Sequence, residues 1–345
     1  MDNETNLPGG PIDIAVDLGA VPPALPKMER WCDLSRNRTA PPPQIIRGVL
    51  HQQSKLLLSG TSKSNKSWSL LDLAMSVASG QEWWGHRCEM AKVAYLNFEL
   101  QRWAITERID ALLCRRPECL SGVNDNLVLW NLRGKNADLT LLRPRLEAEL
   151  ERQQFGMVIL DPAYKLLGNR DENANGEIAD LMNEFEALAH RSGAALVIAH
   201  HFAKGDSSAK SSIDRMSGAG AWARDPDSLI TLTPHEEDNC FTVSMTLRHL
   251  PRVPEFVLTW DYPVMRPAPD LNPEALRRPQ SKNKVSTTKK FMEDYITETP
   301  TSRATIVAMA AERNISSATT DRYLRKLSES GLIASGGGLY WKKSA

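Results

Sequence analysis

The stretch Leu56–Gly80, LLLSGTSKSNKSWSLLDLAMSVASG, joins an apolar run, a polar loop and a helical pattern. Its loop, Gly60–Ser67, has the spacing of a segment that holds phosphates with backbone N–H groups and a helix N-terminus. In such a loop Lys66 contacts the terminal phosphates and Ser67 holds Mg²⁺. Asn65 replaces the usual second glycine, and asparagine adopts left-handed backbone conformations more readily than most residues. The stretch predicts a nucleotide site; the alternative is a polar turn before a core helix.

The predicted nucleotide-binding residues are Gly60, Thr61, Ser62, Lys63, Ser64, Asn65, Lys66, Ser67 and Trp68. An apolar strand precedes them, and apolar residues at helical spacing follow from Leu70 to Val77. This strand–loop–helix setting is the context that the phosphate-binding motif requires. The expected ligands are therefore ATP and Mg²⁺.

Apolar runs alternate with helical patterns through the centre of the chain, which predicts a mostly parallel sheet with helices on both faces. The predicted strands are 55–59, 93–98, 127–131, 157–160 and 195–199, and the predicted helices are 66–79, 104–113, 141–153 and 177–191. Three further strand-like runs, 229–233, 241–247 and 256–260, follow without intervening helices. They predict antiparallel strands at one end of the sheet.

Chemically suitable side chains follow three of these predicted strands. Asp161 ends one strand, Glu99 follows another, and His200 and His201 follow a third. Ligands bind at this edge of open α/β sheets, so Asp161 is a candidate for holding Mg²⁺ through water and Glu99 for activating the attacking water. One histidine is expected to contact the γ-phosphate while the other packs below it. The alternatives are a turn aspartate before Pro162 and a solvated loop glutamate.

Composition restricts the other possibilities. The 345 residues carry 42 basic and 42 acidic side chains, so a general electrostatic attraction to nucleic acid is excluded. Five scattered cysteines without a CxxC pair favour reduced thiols. Without a membrane-spanning run or a signal-peptide layout, the sequence predicts a cytoplasmic protein with no membrane contact.

The chain divides by composition into four parts. Residues 1–43 are predicted to be a flexible arm, 44–266 the nucleotide-binding domain, 267–288 a linker and 289–345 a small basic domain. From Ser281 onward, seven Lys and four Arg oppose six acidic residues, a net charge of 11 − 6 = +5. Predicted helices at 291–298, 303–312 and 318–330 and a hairpin within 331–342 follow the order of a winged helix-turn-helix.

Together these motifs resemble the RecA-like P-loop ATPases of AAA type, and most closely the RepA-like hexameric replicative helicases of mobile plasmids. The resemblance covers residues 56–260 and is carried by VAYLNFEL (93–100), by the stretch 157–205 from VILD to the paired histidines, and by IDRMSGAGAWARDPDSLITL (213–232). It implies a RecA-like α/β fold, Glu99 as catalytic base, Asp161 as the acidic motif and a histidine sensor.

In such rings a neighbouring subunit supplies an arginine to the γ-phosphate, and the resemblance places Arg224 in that role. Arg248 and Arg252 are further candidates, and an ordinary ion pair is the alternative for each. The loop 202–217 is expected to line a central channel and contact single-stranded DNA through Lys204, Lys210 and Arg215. The predicted assembly is a homo-oligomer, a hexameric ring.

The winged-helix-like tail lies outside the resemblance. Arg322, Arg325 and Lys326 lie on its predicted recognition helix and are candidates for contacting duplex DNA phosphates, with protein binding as the alternative. The leading interpretation is a Mg²⁺-dependent ATPase acting as a DNA helicase or translocase in the replication of a plasmid, phage or mobile element. The alternatives are a recombination or loading factor, and an ATP-switched DNA-binding regulator or replication initiator.

Overall fold

The computed structural model describes residues 27–135, 138–201, 220–277, 287–313 and 315–342. Within these ranges, the residues up to Pro41 and those from Pro42 onward form separate units. The first unit contains helix α1 (Trp31–Arg36), inside the segment predicted as an arm. Asp33 in its first turn pairs with Arg30 at 2.9 Å, which favours the helix N-terminus. Residues 1–26 of the predicted arm lie outside the described ranges.

The second unit contains a large central sheet and several smaller ones. Its strands are β1 (Gln44–Ile46), β2 (Leu50–His51), β3 (Lys55–Gly60), β4 (Glu82–Trp83), β5 (His86–Arg87), β6 (Val93–Asn97), β7 (Leu127–Asn131), β8 (Met157–Asp161), β9 (Ala195–His201), β10 (Ser228–Pro234), β11 (Cys240–Leu247), β12 (Phe256–Asp261), β13 (Val264–Pro267), β14 (Thr301–Ser302), β15 (Ile333–Gly336) and β16 (Leu339–Lys342).

The α-helices described in this unit are α2 (Lys66–Ser79), α3 (Arg102–Arg115), α4 (Leu120–Asn126), α5 (Leu139–Gln153), α6 (Asn175–Ser192), α7 (Ala221–Arg224), α8 (Thr287–Tyr295), α9 (Arg303–Ala311) and α10 (Ser317–Glu329). Seven of these nine described helices lie where the helical patterns predict them, with ends that differ by a few residues, whereas α4 and α7 were not predicted. Within the described residues, no helix has the length and apolar character that crossing a bilayer requires.

The central sheet of the described chain has nine strands in the order β13-β12-β11-β10-β3-β9-β8-β6-β7. The strands from β10 to β7 run parallel, whereas β11, β12 and β13 are antiparallel additions at one end. One strand, β9, separates the phosphate-loop strand β3 from the acidic strand β8. The predicted α/β fold, a mostly parallel sheet with antiparallel strands at one end, is confirmed.

Strand β3 is buried on both faces. Leu56 and Leu58 pack into the hydrophobic cluster that contains α2, while Leu57 packs on the other face against residues of α5 and α6. Successive side chains of a strand point to opposite faces, which explains the division. Two layers of apolar packing therefore hold the strand from which the phosphate loop emerges.

The predicted linker begins inside the sheet. Pro267 is the last residue of β13, a strand that the sequence analysis missed. Beyond it, the Glu236 N–H donates to the Ala275 carbonyl and the Arg277 N–H donates to the Pro234 carbonyl, both at 2.9 Å. A polar segment that contains prolines is predicted to be a linker because such residues disfavour helices and strands. Here, however, backbone hydrogen bonds attach the segment to the end of β10.

The C-terminal elements enclose a hydrophobic cluster of their own that includes Phe291, Ile306, Leu324 and Ile333. The three predicted helices correspond to α8, α9 and α10, and the predicted hairpin is formed by β15 and β16. With β14 these strands form a three-stranded sheet in the order β14-β16-β15. Asn314, in the predicted turn, lies outside the described residues.

Candidate functional site

The phosphate loop leaves β3 at Gly60 and enters α2 at Lys66. A Cβ atom at Gly60 would lie 2.7 Å from the Ser64 hydroxyl and 3.1 Å from the Leu232 carbonyl oxygen, so any other residue would require the loop to shift. Asn65 has φ 57° and ψ 25°, the left-handed conformation expected for the residue that replaces the second glycine. The substitution is therefore compatible with the turn that directs the chain into the helix.

Lys66 is buried, and its ammonium group contacts oxygen atoms of the loop. Its Nζ donates to the carbonyl oxygens of Gly60 and Thr61, each at 2.9 Å. Burial lowers the pKa of Lys66 from 10.5 to about 8, and the charges of Asp161 and Glu99 oppose that shift only in part. A poorly hydrated cation of this kind attracts anions more strongly than an exposed lysine does.

Asp161 ends β8 and is buried. The Tyr95 hydroxyl donates to its Oδ2 at 2.6 Å, and the Ser67 hydroxyl lies near it at the start of α2. Burial raises the pKa of Asp161, while the hydroxyl groups of Tyr95 and Ser67 act in the opposite direction. Burial also raises the pKa of Tyr95 well above 10, so the phenol keeps the proton that it donates.

Glu99 is exposed and follows β6 by two residues. The buried Asn97 shapes its turn, because the Asn97 Oδ1 accepts the N–H groups of Glu99 at 3.2 Å and Leu100 at 2.8 Å. Asn97 also bonds to Asn131 on the neighbouring strand at 2.9 Å. The backbone of Glu99 is therefore held by Asn97 of β6, while the Glu99 carboxylate is exposed.

The two histidines at the end of β9 have different surroundings. His201 is half-buried, and burial together with the charge of Lys66 lowers its pKa, which favours the neutral imidazole at pH 7. His200 is buried behind it, with Nε2 3.3 Å from Glu172 and its ring 4.5 Å from that of Trp222. The structure therefore separates the predicted pair into one residue facing the cleft and one packed beneath.

These side chains meet in one cleft of about 370 Å³ at the carboxyl edge of the sheet. The cleft is lined by Lys63, Ser64, Asn65, Lys66, Ser67, Trp68, Glu99, Leu100, Arg108, Asp161 and His201. Its volume lies within the range of ligand clefts, about 300–1,000 Å³. The lining fits ATP and Mg²⁺, because the buried ammonium of Lys66 can bind phosphates and the Ser67 hydroxyl and Asp161 carboxylate are oxygen ligands of the kind that Mg²⁺ prefers.

Four residues that line or support the cleft were missed by the sequence analysis, namely Tyr95, Asn97, Leu100 and Arg108. Arg108 of α3 lies 4.7 Å from the Trp68 ring, and both residues line the cleft. Tyr95 and Asn97 lie on β6, where register pairs Asn97 with Asp161 of β8. Nothing in the local sequence indicates that register, so these contacts were accessible only from the structure.

Arg224 lies away from the cleft of its own chain. It ends α7 and is exposed, and the following residue, Asp225, contacts Lys55 at the start of β3. Strand β3 is six residues long, so its two ends are roughly 17 Å apart at about 3.3 Å per residue. Arg224 is not among the residues that line the cleft. Helix α7 lies between the two ends of the strands, because Trp222 packs 4.5 Å from the His200 ring while Asp225 contacts Lys55.

The remaining predicted contact residues divide into two groups. Lys204, Lys210 and Arg215 lie outside the described residues. Arg322, Arg325 and Lys326 are exposed on α10, so the structure leaves their side chains accessible to a partner.

The loop, the acidic strand end and the fold define a P-loop ATPase. A family model described as AAA domain matches residues 22–207, more than half of the chain. The protein belongs to this AAA domain family. The matched range contains Lys66, Glu99, Asp161 and both histidines.

Among solved structures, the chain is similar to a KaiC-like protein from the hyperthermophilic archaeon Pyrococcus horikoshii OT3. The two are 10% identical with a TM-score of 0.47, and the similarity covers 65% of this chain and 94% of the other. No curated protein matches the sequence.

Proposed function

We propose that the protein is a Mg²⁺-dependent ATPase that assembles as a homo-oligomeric, hexameric ring on single-stranded DNA. In this role it acts as a helicase or translocase in the replication of a plasmid, phage or other mobile element. The observation that carries the ATPase part is the single cleft lined by Lys66, Ser67, Glu99 and Asp161. The DNA role is supported by the resemblance to RepA-like helicases.

Each residue of the cleft has a distinct task. Lys66 binds the β- and γ-phosphates in place of the loop carbonyls that it contacts here. Ser67 and Asp161 hold Mg²⁺, which neutralises phosphate charge when bound. Glu99 accepts a proton from the attacking water. The neutral His201 donates an imidazole N–H to the γ-phosphate, and Trp68 with Arg108 forms one wall of the site.

The position of Arg224 supports assembly into a ring. Its exposed guanidinium forms no ion pair with any residue in the described ranges, and it does not line the cleft of its own chain. An arginine that completes a phosphoryl-transfer site can come from a neighbouring subunit. In a closed ring of identical subunits, Arg224 of one subunit then faces the cleft of the next.

We propose that single-stranded DNA contacts the segment after His201, which carries Lys204, Lys210 and Arg215. Residues 289–345 are proposed to be a winged-helix domain, supported by the order of three helices and a three-stranded sheet. Arg322, Arg325 and Lys326 on α10 would contact duplex DNA phosphates or an acidic protein surface.

The second candidate is an ATP-switched DNA-binding regulator or replication initiator and loader without unwinding activity. The basic, exposed face of α10 favours it, since a duplex-binding helix serves an initiator as well as a motor. Both candidates use the same cleft, so they differ in whether DNA accelerates hydrolysis.

ATP turnover measured with and without single-stranded DNA, on protein whose native mass is determined with ATP present, tests the proposal. We expect a hexamer whose ATP turnover is stimulated by single-stranded DNA. The Lys66→Ala variant is expected to lower the turnover rate by on the order of 10²-fold. Turnover that DNA does not change would favour the regulator. Equal turnover in the wild type and in Lys66→Ala would refute the ATPase assignment of the cleft.

A further inference from the structure

We propose that Lys55 and Asp225 are positioning residues for Arg224, so that an ion pair between a buried lysine and a partly exposed aspartate controls the arginine supplied to the neighbouring subunit. This inference rests on the proposed function, in which Arg224 acts across a subunit interface. It assigns a task to a buried lysine that the nucleotide cleft does not use.

Lys55 is buried at the first position of β3 and has two carboxylate partners. Its Nζ lies 2.7 Å from Glu186 of α6 and also contacts Asp225, the residue that follows Arg224. The same Nζ donates to the Met182 carbonyl at 3.3 Å. A buried ammonium with several oxygen partners is strongly held, because breaking such a pair leaves an uncompensated charge.

The main chain around Arg224 is held at further points. The Arg248 Nη2 donates to the Arg224 carbonyl oxygen at 2.5 Å. Two residues after Asp225, the Asp227 carboxylate accepts the Lys55 N–H at 2.9 Å, and the Asp227 N–H donates to the Lys55 carbonyl at 3.0 Å. The backbone of Arg224 is therefore attached to β3, while its side chain remains exposed.

This arrangement suits a residue that must project accurately from a very short helix. Helix α7 has four residues, too few for stability without tertiary contacts. A misplacement of about 1 Å in a catalytic group lowers rates by on the order of 10²-fold. Removing Asp225 from Lys55 is thus expected to affect catalysis in the neighbouring cleft more than ATP binding in the same chain.

The two carboxylates provide a matched pair of variants. Asp225→Ala and Glu186→Ala each remove one partner of the same ammonium, but only Asp225 adjoins Arg224. In an ATPase assay of the full chain with single-stranded DNA present, we expect Asp225→Ala to lower kcat by on the order of 10-fold to 10²-fold. The KM for ATP should change little. Glu186→Ala is expected to retain wild-type kcat, and thermal unfolding is measured on both.

A double-mutant cycle with Arg224→Ala separates positioning from general destabilisation. If Asp225 acts through Arg224, the double variant has the kcat of Arg224→Ala alone. Multiplied losses, or equal losses in Asp225→Ala and Glu186→Ala, would overturn the inference. Should Asp225→Ala fold poorly, Asp225→Asn is used with the same expectations.

Two outcomes distinguish the possible failures. If Arg224→Ala lowers kcat but Asp225→Ala does not, the inference is wrong while the trans arginine stands. If Arg224→Ala leaves the kcat measured with single-stranded DNA unchanged, Arg224 does not act in the neighbouring subunit and the inference is also refuted. The ATPase assignment of the cleft is unaffected by that outcome.

Discussion

The two edges of the central sheet each contain a buried lysine, and the lysines differ in their partners. At the amino edge of β3, Lys55 pairs with the carboxylates of Glu186 and Asp225. At the carboxyl edge, Lys66 donates to backbone carbonyl oxygens of its own loop. The first charge is compensated within the chain. The second is only partly compensated, and burial lowers its pKa to about 8.

Within one strand–loop–helix unit, this difference distinguishes a lysine that stabilises the fold from a lysine that is available to bind a ligand. A buried group whose pKa is perturbed by desolvation, in a cleft, is a candidate functional group. An ion pair that satisfies a buried ammonium contributes to the fold and to the placement of its neighbours. Variants at the carboxyl edge should therefore alter ATP binding and turnover directly. Variants at the amino edge should alter stability, and they should alter turnover only through the placement of Arg224.

Glu99→Gln is expected to have the largest effect among tests of the carboxyl edge. Loss of a general base lowers kcat by on the order of 10²-fold or more. ATP affinity should change little, because Glu99 is exposed and amide and carboxylate have nearly the same shape. Steady-state turnover and equilibrium ATP binding are measured on the same preparation. Unchanged kcat would remove Glu99 from the catalytic residues.

Tyr95→Phe sharpens the assignment of Asp161. The variant removes the hydroxyl that donates to Asp161 at 2.6 Å and leaves the ring in place. Supporting hydrogen bonds of this kind change metal affinity by about tenfold or more. We expect the Mg²⁺ concentration for half-maximal turnover to rise about tenfold. An unchanged Mg²⁺ dependence would contradict a role for Asp161 in holding the metal.

The pH dependence of ATP binding tests Lys66. Below its pKa of about 8, Lys66 carries the charge that attracts phosphates; above it the charge is lost. ATP affinity of the free protein should therefore fall as pH rises above about 8, approaching tenfold per pH unit for a single titrating group. Isothermal titration over pH 7 to about 9.5 measures it. Lys66→Met binds more weakly and should lose this dependence; if the variant keeps it, another group titrates.

Replacement of the two lysines by methionine should change the free energy of unfolding in different ways. Lys55→Met leaves Glu186 and Asp225 without their partner and should lower the free energy of unfolding by about 1–2 kcal/mol. The folded-state pKa of Lys66 lies below its unfolded value, so at pH 7 its protonated form opposes folding. Lys66→Met should leave stability unchanged or raise it. Denaturant titrations give both values, and equal destabilisation would refute the contrast.

Asn65 gives the smallest expected effect. Its left-handed conformation suits glycine and disfavours alanine, so Asn65→Ala should lower the free energy of unfolding by about 1–2 kcal/mol and Asn65→Gly by less. Thermal unfolding compares the two variants with the wild type. If alanine is tolerated as well as glycine, the left-handed turn is not required for the loop.

Much of this organisation could be predicted from local sequence. Strand–helix alternation gave the mostly parallel sheet, and the Gly60–Ser67 spacing gave a loop whose Asn65 adopts the expected conformation. Residues directly after parallel strands meet at one edge, so Lys66, Glu99, Asp161 and a histidine could be placed together before the structure.

The rest depends on long-range register and packing. Tyr95 reaches Asp161 because β6 pairs with β8, and the sequence between them gives no sign of it. Lys55 meets Asp225 across 170 residues. Composition likewise predicted a linker from Pro267, whereas its first part is bonded to β10. Secondary-structure propensity depends on residues that are close in sequence. These contacts join residues that are distant in sequence, so the sequence patterns could not predict them.

A structure of the protein with Mg²⁺ and a non-hydrolysable ATP analogue tests the central claim most directly. We expect Lys66 to leave the Gly60 and Thr61 carbonyl oxygens and contact the phosphates, with Ser67 and Asp161 at the metal and Glu99 and His201 near the γ-phosphate. A nucleotide bound elsewhere, or Lys66 and Asp161 too far apart to share one triphosphate, would contradict it.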